Sequence, residues 1–218
     1  MTKELKKRLI TSIVLIAIFL NCLFISNVSW LVLLTFVSLI CWLEFINLSE
    51  KIWKEKKSIK ILMILVSLLF FFYFFYAAYE IKINYGEKRI LFILLVCIFS
   101  DIGGYVVGKN IGGKKLTRIS PNKTVSGSIG SFLFSLFPLA IFLIMNLPIT
   151  IFTNLTLIFY CLLISLACQT GDLIISYFKR SAKVKDTGNI LPGHGGMLDR
   201  IDGIIFVLPI LLIITYLL

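Results

Sequence analysis

Residues 9–47 read LITSIVLIAIFLNCLFISNVSWLVLLTFVSLICWLEFIN. One bilayer crossing takes about 20 mostly apolar residues, and this run is roughly twice that length. Asn21, Ser26, Asn27 and Ser29 gather near its middle and predict a tight polar turn. The run therefore divides into two spanning helices, 9–26 and 30–47. Further apolar runs at 60–79, 89–108, 127–147, 151–175 and 201–218 bring the expected total to about seven. Pro148 is expected to split 127–175 into another helical hairpin. Composition agrees: 59% of the 218 residues are hydrophobic, 15% are charged, and the mean hydropathy is +0.99. A water-soluble domain of this size cannot hide that much apolar surface in one core. The expected fold class is an all-α integral membrane protein, without internal repeat, low-complexity tract or soluble domain.

Charge predicts the orientation. Basic residues cluster at the N-terminus (Lys3, Lys6, Lys7, Arg8), in the loop at 48–60, in the loop at 109–126 and in the segment 176–202. Nineteen of the 22 Lys and Arg residues then fall on one side, leaving Lys82, Lys88 and Arg89 on the other. Cytoplasmic loops carry the excess of Lys and Arg, so the N-terminus and the three long basic stretches are expected in the cytoplasm and the C-terminus outside. The net charge of +11 is thus read as topology and contact with anionic headgroups before any nucleic-acid role. The opening MTKELKKRLI followed by an apolar stretch mimics a secretory signal. No small-x-small pattern follows, and a second apolar run begins at once, so an uncleaved first span is expected. The aromatic run LFFFYFFYAAY at 69–79 reads as lipid-facing or packing surface. Cys22, Cys41, Cys97, Cys161 and Cys168 lie in apolar runs with no CxxC pair, and with one histidine in the chain they read as small buried hydrophobes.

Two loops carry more than topology requires. The first, SDIGGYVVGKNIGGKKLTRISPNKTVSGSIG (100–130), starts with Asp101 in an apolar helix, where an acid is costly and usually faces the protein interior. Gly103, Gly104, Gly108, Gly112 and Gly113 are expected to loosen the backbone. Ser120, Lys123 and Thr124 in SPNKT stand before a helix, as a phosphate cradle would. A flexible basic loop that merely enforces topology fits the residue types about as well.

The second loop is SYFKRSAKVKDTGNILPGHGGMLDRID (176–202). Asp172 precedes it inside an apolar helix and needs a partner. Lys179 and Arg180 follow two turns later, at the membrane surface. Asp199 and Asp202 are three apart, so on a helix their carboxylates share a face and can chelate one ion. Arg200 points elsewhere and is free to meet a phosphate. Each feature alone suits a helix cap or a topology charge, but together they favour divalent-metal and phosphate chemistry. His194 is open between a general base, a phosphate donor and a loop hydrogen bond. Glu44 is open between function and a hydrogen bond to a neighbouring helix.

The run Ser176-x-Phe178-Lys179-Arg180-x4-Lys185-Asp186-x-Gly188-x2-Leu191-Pro192-x-His194-Gly195-Gly196-Met197-x-Asp199-Arg200-Ile201-Asp202 resembles the signature of the phosphatidate cytidylyltransferase, or CDP-diacylglycerol synthase, family. Asp101 in SDIGGY, the SPNKT loop and Gly171-Asp172-Leu173 resemble further family motifs, so roughly residues 97–203 are covered. Val125-Ser126 stand where the family usually has an aromatic and an acid, and the chain is short for the family.

The resemblance implies transfer of a cytidylyl group from CTP to phosphatidate, releasing pyrophosphate, at the cytoplasmic headgroup level of the cell membrane. It implies catalytic roles for Asp172, Lys179, Arg180, Lys185, Asp186, His194, Asp199, Arg200 and Asp202. Substrate binding would fall to Asp101, Ser120, Lys123, Thr124, Gly195 and Gly196. Magnesium, with room for a second cation, would be held by Asp172, Asp199 and Asp202. The partners implied are CTP, phosphatidate and membrane lipid, with no nucleic acid, and a homodimer is compatible with the family.

Residues 1–218 are expected to form one polytopic membrane domain: N-terminal spans in 1–88, and a catalytic portion in 89–218 with cytoplasmic loops at 109–126 and 179–200. A CTP-dependent transferase using another lipid acceptor is the nearest alternative. A transporter with Asp101, Asp172 and Glu44 as an ion path is distant, because most charge gathers in loops on one face.

Overall fold

The computed structural model describes residues 3–145 and 154–217, and among these the chain is helical with no β-strand. The helices are α1 (Lys3–Ile25), α2 (Asn27–Ile52), α3 (Lys57–Tyr85), α4 (Glu87–Ile111), α5 (Val125–Phe134), α6 (Phe137–Ile144), α7 (Asn154–Ser181), α8 (Leu198–Ile201) and α9 (Ile204–Leu217). Among the described residues, six stretches are long and apolar enough to cross a membrane: Lys7–Ile25, Asn27–Ile52, Lys57–Tyr85, Glu87–Ile111, Val125–Ile144 and Leu155–Ser181. The chain is an all-α, multi-pass membrane protein.

The polar turn expected inside residues 9–47 falls at Ser26. Its extended backbone breaks the helix, and its side chain accepts a hydrogen bond from the Ser29 N–H at 3.0 Å, capping α2. Two expectations need adjustment. The run at 127–147 forms two helices, because the chain turns at Ser135–Leu136 between α5 and α6. The last run yields only the shorter apolar helix Ile204–Tyr216, since a turn at Asp202–Gly203 separates α8 from α9. The hairpin turn expected at Pro148 lies outside the described residues.

The chain forms two compact units. The first comprises residues 1–87 and 178–202, the second residues 88–177 and 203–218. In the first, α2 packs on α1, α3 and α8. Trp30 is buried and donates its ring N–H to the Ala78 carbonyl at 3.2 Å. Lys82, one of the three cations expected on the outer side, is buried, donating to the Ser26 carbonyl at 3.0 Å and lying 5.6 Å from the Trp30 ring centroid. The aromatic run of α3 divides by helical spacing: Phe71, Phe74, Ala77 and Ala78 are buried, while Leu69, Phe72 and Tyr76 face outward. Phe178 sets its ring edge-on against Phe45 at 5.1 Å.

In the second unit α4 and α5 cross in close contact. A Cβ added at Gly103 would come within 2.5 Å of the Gly130 carbonyl oxygen, and one at Gly127 within 2.7 Å of the Gly104 carbonyl oxygen. Gly103, Gly104 and Gly108 were expected to loosen the backbone. They lie inside a regular helix instead and leave room for α5, as small residues do where membrane helices associate. Of the five glycines of this stretch, Gly112 and Gly113, at φ of +66° and +106°, do use glycine's conformational freedom. Gly130→Leu is therefore expected to drive α5 off Val107, whose Cβ lies 2.5 Å from the added atom. The check is folded yield in detergent: most of the protein should be lost, whereas Leu133→Ala on the exposed side of α5 should express normally.

Candidate active site

The loop after α4 is tied back on itself. The Leu116 N–H donates to the Lys123 carbonyl at 2.9 Å, and the Val125 N–H donates to the Lys114 carbonyl at 3.0 Å. Thr124 then caps α5, accepting from the Gly127 N–H at 3.0 Å. These bonds hold Lys123 in place, and its ammonium pairs with the Asp172 carboxylate of α7. The other Asp172 oxygen accepts from the Ser176 hydroxyl at 3.3 Å.

Asp101 on α4 accepts a weak hydrogen bond from the Cys168 thiol at 3.8 Å. Asp101, Ser120, Lys123, Thr124 and Asp172 all line one cavity of about 340 Å³ within the second unit. Ser128 and Gln169 complete its polar wall, with the Ser128 hydroxyl donating to Gln169 Oε1 at 2.6 Å. The pocket thus gathers four of the expected substrate-binding residues and one expected catalytic acid. A volume of this size is typical of small-molecule sites, roughly 300–1,000 Å³.

The signature loop belongs to the first unit, and its organising groups are two carboxylates. Asp199 Oδ1 accepts from the Lys179 ammonium at 2.8 Å. Asp199 Oδ2 accepts from the Thr187 N–H at 2.7 Å and from the Gly196 N–H at 3.1 Å. Burial works against its charge, but the Lys179 and backbone donors outweigh that and hold the carboxyl below the usual range. Only 4% of the Asp199 side chain is exposed. Asp202, expected on spacing to share an ion with Asp199, stands at the end of α8. Among the described residues, no group of three or more His, Cys, Asp or Glu side chains is gathered to hold a metal.

Glu44 of α2 is the second carboxylate, and its partners lie in the loop and at the start of α8 rather than on a neighbouring spanning helix. It accepts from the Met197 and Leu198 N–H groups at 2.9 Å each, and from the Thr187 hydroxyl at 2.8 Å. His194 is held by α1, its Nε2 lying 3.1 Å from the Ser12 hydroxyl, while its buried Nδ1 has no hydrogen-bond partner among the described residues. Arg200 turns back onto the same loop, donating to the His194 carbonyl from Nε at 3.0 Å and from a terminal nitrogen at 2.6 Å. Gly195, at φ +86°, packs against Asp186. Arg180, Lys185 and Asp186 are exposed.

Sequence reasoning did not find Thr187, Ser12, Ser128, Gln169 or Cys168. Thr187 stood inside the signature, between Asp186 and Gly188, but the loop's spacing does not show that its hydroxyl reaches α2.

Fold and sites together define a polytopic membrane protein whose polar chemistry is gathered in an acid–lysine pocket and a carboxylate-held loop. Residues 51–218 match the family model described as the cytidylyltransferase family, and the chain belongs to that family. It is 45% identical over 130 residues to a phosphatidate cytidylyltransferase of Bacillus subtilis (strain 168), covering 59% of this chain and 47% of that protein. It is 47% identical over 137 residues to the phosphatidate cytidylyltransferase of Staphylococcus aureus (strain COL), covering 61% and 50%. For the Staphylococcus saprophyticus protein of the same name, identity is 44% over 135 residues, covering 61% and 50%. The chain spans about half the length of the curated relatives it matches.

Proposed function

We propose that the chain transfers the cytidylyl group of CTP to the phosphate of phosphatidate, giving CDP-diacylglycerol and pyrophosphate, on the cytoplasmic face of the cell membrane. The observation that carries this reading is the second unit's pocket, where Asp101, Lys123 and Asp172 meet the hydroxyl-bearing Ser120 and Thr124. Family membership and the relatives' names support the same pair of substrates.

Both substrates are polyanions, so their repulsion must be offset before a lipid phosphate oxygen can approach the α-phosphorus of CTP. Lys123, oriented by its pair with Asp172, offers a positive charge to the nucleotide phosphates. The pocket's hydroxyls offer donors to the same oxygens. Two carboxylates beside hydroxyl groups form a hard-oxygen set of the kind magnesium takes. A divalent cation held by Asp101 and Asp172 would neutralise phosphate charge and stabilise the leaving pyrophosphate.

The signature loop carries cations of its own, Lys179, Arg180, Lys185 and Arg200. Asp199 holds Lys179 and the backbone, and Asp202, Asp186, Gly195 and Gly196 complete the loop's shape. A phosphate monoester is already ionised near neutral pH, its second pKa being about 6, so the nucleophile needs no strong base.

Lys123→Ala tests the nucleotide pocket. CTP binding, read by titration in detergent, is expected to weaken at least tenfold, corresponding to about 1.4 kcal/mol. Wild-type affinity in this variant would remove Lys123 from the site.

A further inference from the structure

We propose that Glu44, in the last third of the spanning helix α2, is a positioning residue that locks the signature loop for the transfer reaction; this rests on the reading above. Glu44 is 2% exposed and sits on α2, more than 140 residues before the loop it meets. It accepts from every partner it has: two successive backbone N–H groups, Met197 and Leu198, and the Thr187 hydroxyl.

The Thr187 hydroxyl lies 2.8 Å from Glu44 Oε2 and 3.0 Å from Asp199 Oδ2. It stands between two carboxylates that would otherwise repel, and its single proton is donated to one of them at a time. Four backbone N–H groups, from Thr187, Gly196, Met197 and Leu198, close around the same pair of side chains.

The loop's glycines fit this arrangement. A Cβ at Gly188 would come within 2.6 Å of Glu44 Oε1, and one at Gly196 within 2.5 Å of Oε2. The loop is therefore wrapped on the Glu44 carboxylate from both sides. Glu44 contacts none of the groups offered to substrate in the proposed reaction. It acts through the backbone that carries His194, Gly195, Gly196 and Arg200.

The test pairs Glu44→Gln with Thr187→Val in the full chain in detergent. Gln keeps the size of the side chain but turns an N–H₂ group toward N–H donors. Val keeps the shape of Thr and removes the bridging hydroxyl. Hydrogen exchange of peptides covering 187–199 is expected to speed up about a hundredfold in Glu44→Gln and about tenfold in Thr187→Val. Peptides of α3 and α4 should be unchanged. kcat for CDP-lipid formation should fall in parallel, with KM for CTP within about twofold of wild type, because misplacing reacting groups by about 1 Å costs on the order of a hundredfold in rate.

Unchanged exchange in the loop overturns the proposal, and so does faster exchange with wild-type kcat. Uniformly faster exchange throughout the chain also overturns it, since Glu44 would then support the fold alone. If Glu44→Gln fails to fold, Thr187→Val decides by the same readouts. If the wild type makes no CDP-lipid, the proposed function fails, while loop exchange still reads the lock.

Discussion

Asp172→Asn is expected to lower CDP-lipid formation about a thousandfold while the protein still folds. The side chain is only partly exposed, at 30%, and pairs with the Lys123 ammonium in the pocket of the second unit. Asparagine keeps the volume and one acceptor oxygen, so the Ser176 hydroxyl retains its partner. It removes the charge that orients Lys123 and that, in the proposed reaction, faces a cation and the phosphates. Removing one preorganised electrostatic group from a transfer site costs on the order of 10²–10³ in rate, and here two such effects coincide. Turnover of labelled CTP, measured beside the thermal midpoint in the same detergent, separates the two consequences. A midpoint near that of wild type with turnover nearly lost is the expected pattern. Turnover within tenfold of wild type would take Asp172 out of the chemistry.

Asp199→Asn is expected to cost stability as well as activity. The Lys179–Asp199 pair is nearly enclosed, its side chains 14% and 4% exposed, and removing one partner leaves the other charge without compensation. Breaking such a pair typically costs about 3–5 kcal/mol. Asparagine also presents an N–H₂ group where the Lys179 ammonium or the loop N–H groups donate, so the loop loses acceptors it cannot replace.

The effect carries a pH signature. The Asp199 carboxyl is held below its ordinary range in the folded protein, so the folded state favours the charged form. Its contribution is fully present above the unfolded value, about 3.9, and is lost as pH falls through the lower folded value. The gap in thermal midpoint between wild type and Asp199→Asn should therefore be flat from about pH 8 to pH 5 and close only below about pH 4. A gap that closed near neutral pH would assign the stabilisation to another group.

The helices were legible because bilayer crossing imposes long apolar runs, and Ser26 with Asn27 and Ser29 marked the first break by their capping chemistry. The division between α5 and α6 was not. It falls at Ser135–Leu136, just before Pro138 at the start of α6, a breaker whose missing N–H the reading of the run as one span passed over. The glycines of α4 carried an ambiguity that spacing could not resolve: a glycine in sequence looks alike whether it turns the chain or admits a neighbouring helix. Gly112 and Gly113 do the first, Gly103 and Gly104 the second.

Among the chemical residues, Asp101 and Asp172 were visible as costly acids in apolar helices, and Lys123 as the cation of a loop that stands before a helix. Their meeting in one pocket depends on how α4, α5 and α7 pack. Asp199 and Asp202 were visible as two acids three apart, whereas the donors around Asp199, from Thr187, Gly196 and Lys179, come from parts of the chain that spacing does not connect. Glu44 was visible as an acid inside a span, but its partners lie far along the chain in a loop whose path no local pattern predicts.

The central claim is the transfer of a cytidylyl group to a lipid phosphate. Its most direct test incubates the purified full chain in phosphatidate-containing micelles with CTP labelled in the α-phosphate, with and without magnesium, and separates the lipid products. The account predicts a labelled CDP-lipid and an equal amount of pyrophosphate, both dependent on magnesium and both lost in Asp172→Asn. A folded chain that binds CTP yet leaves all label in the nucleotide would contradict it.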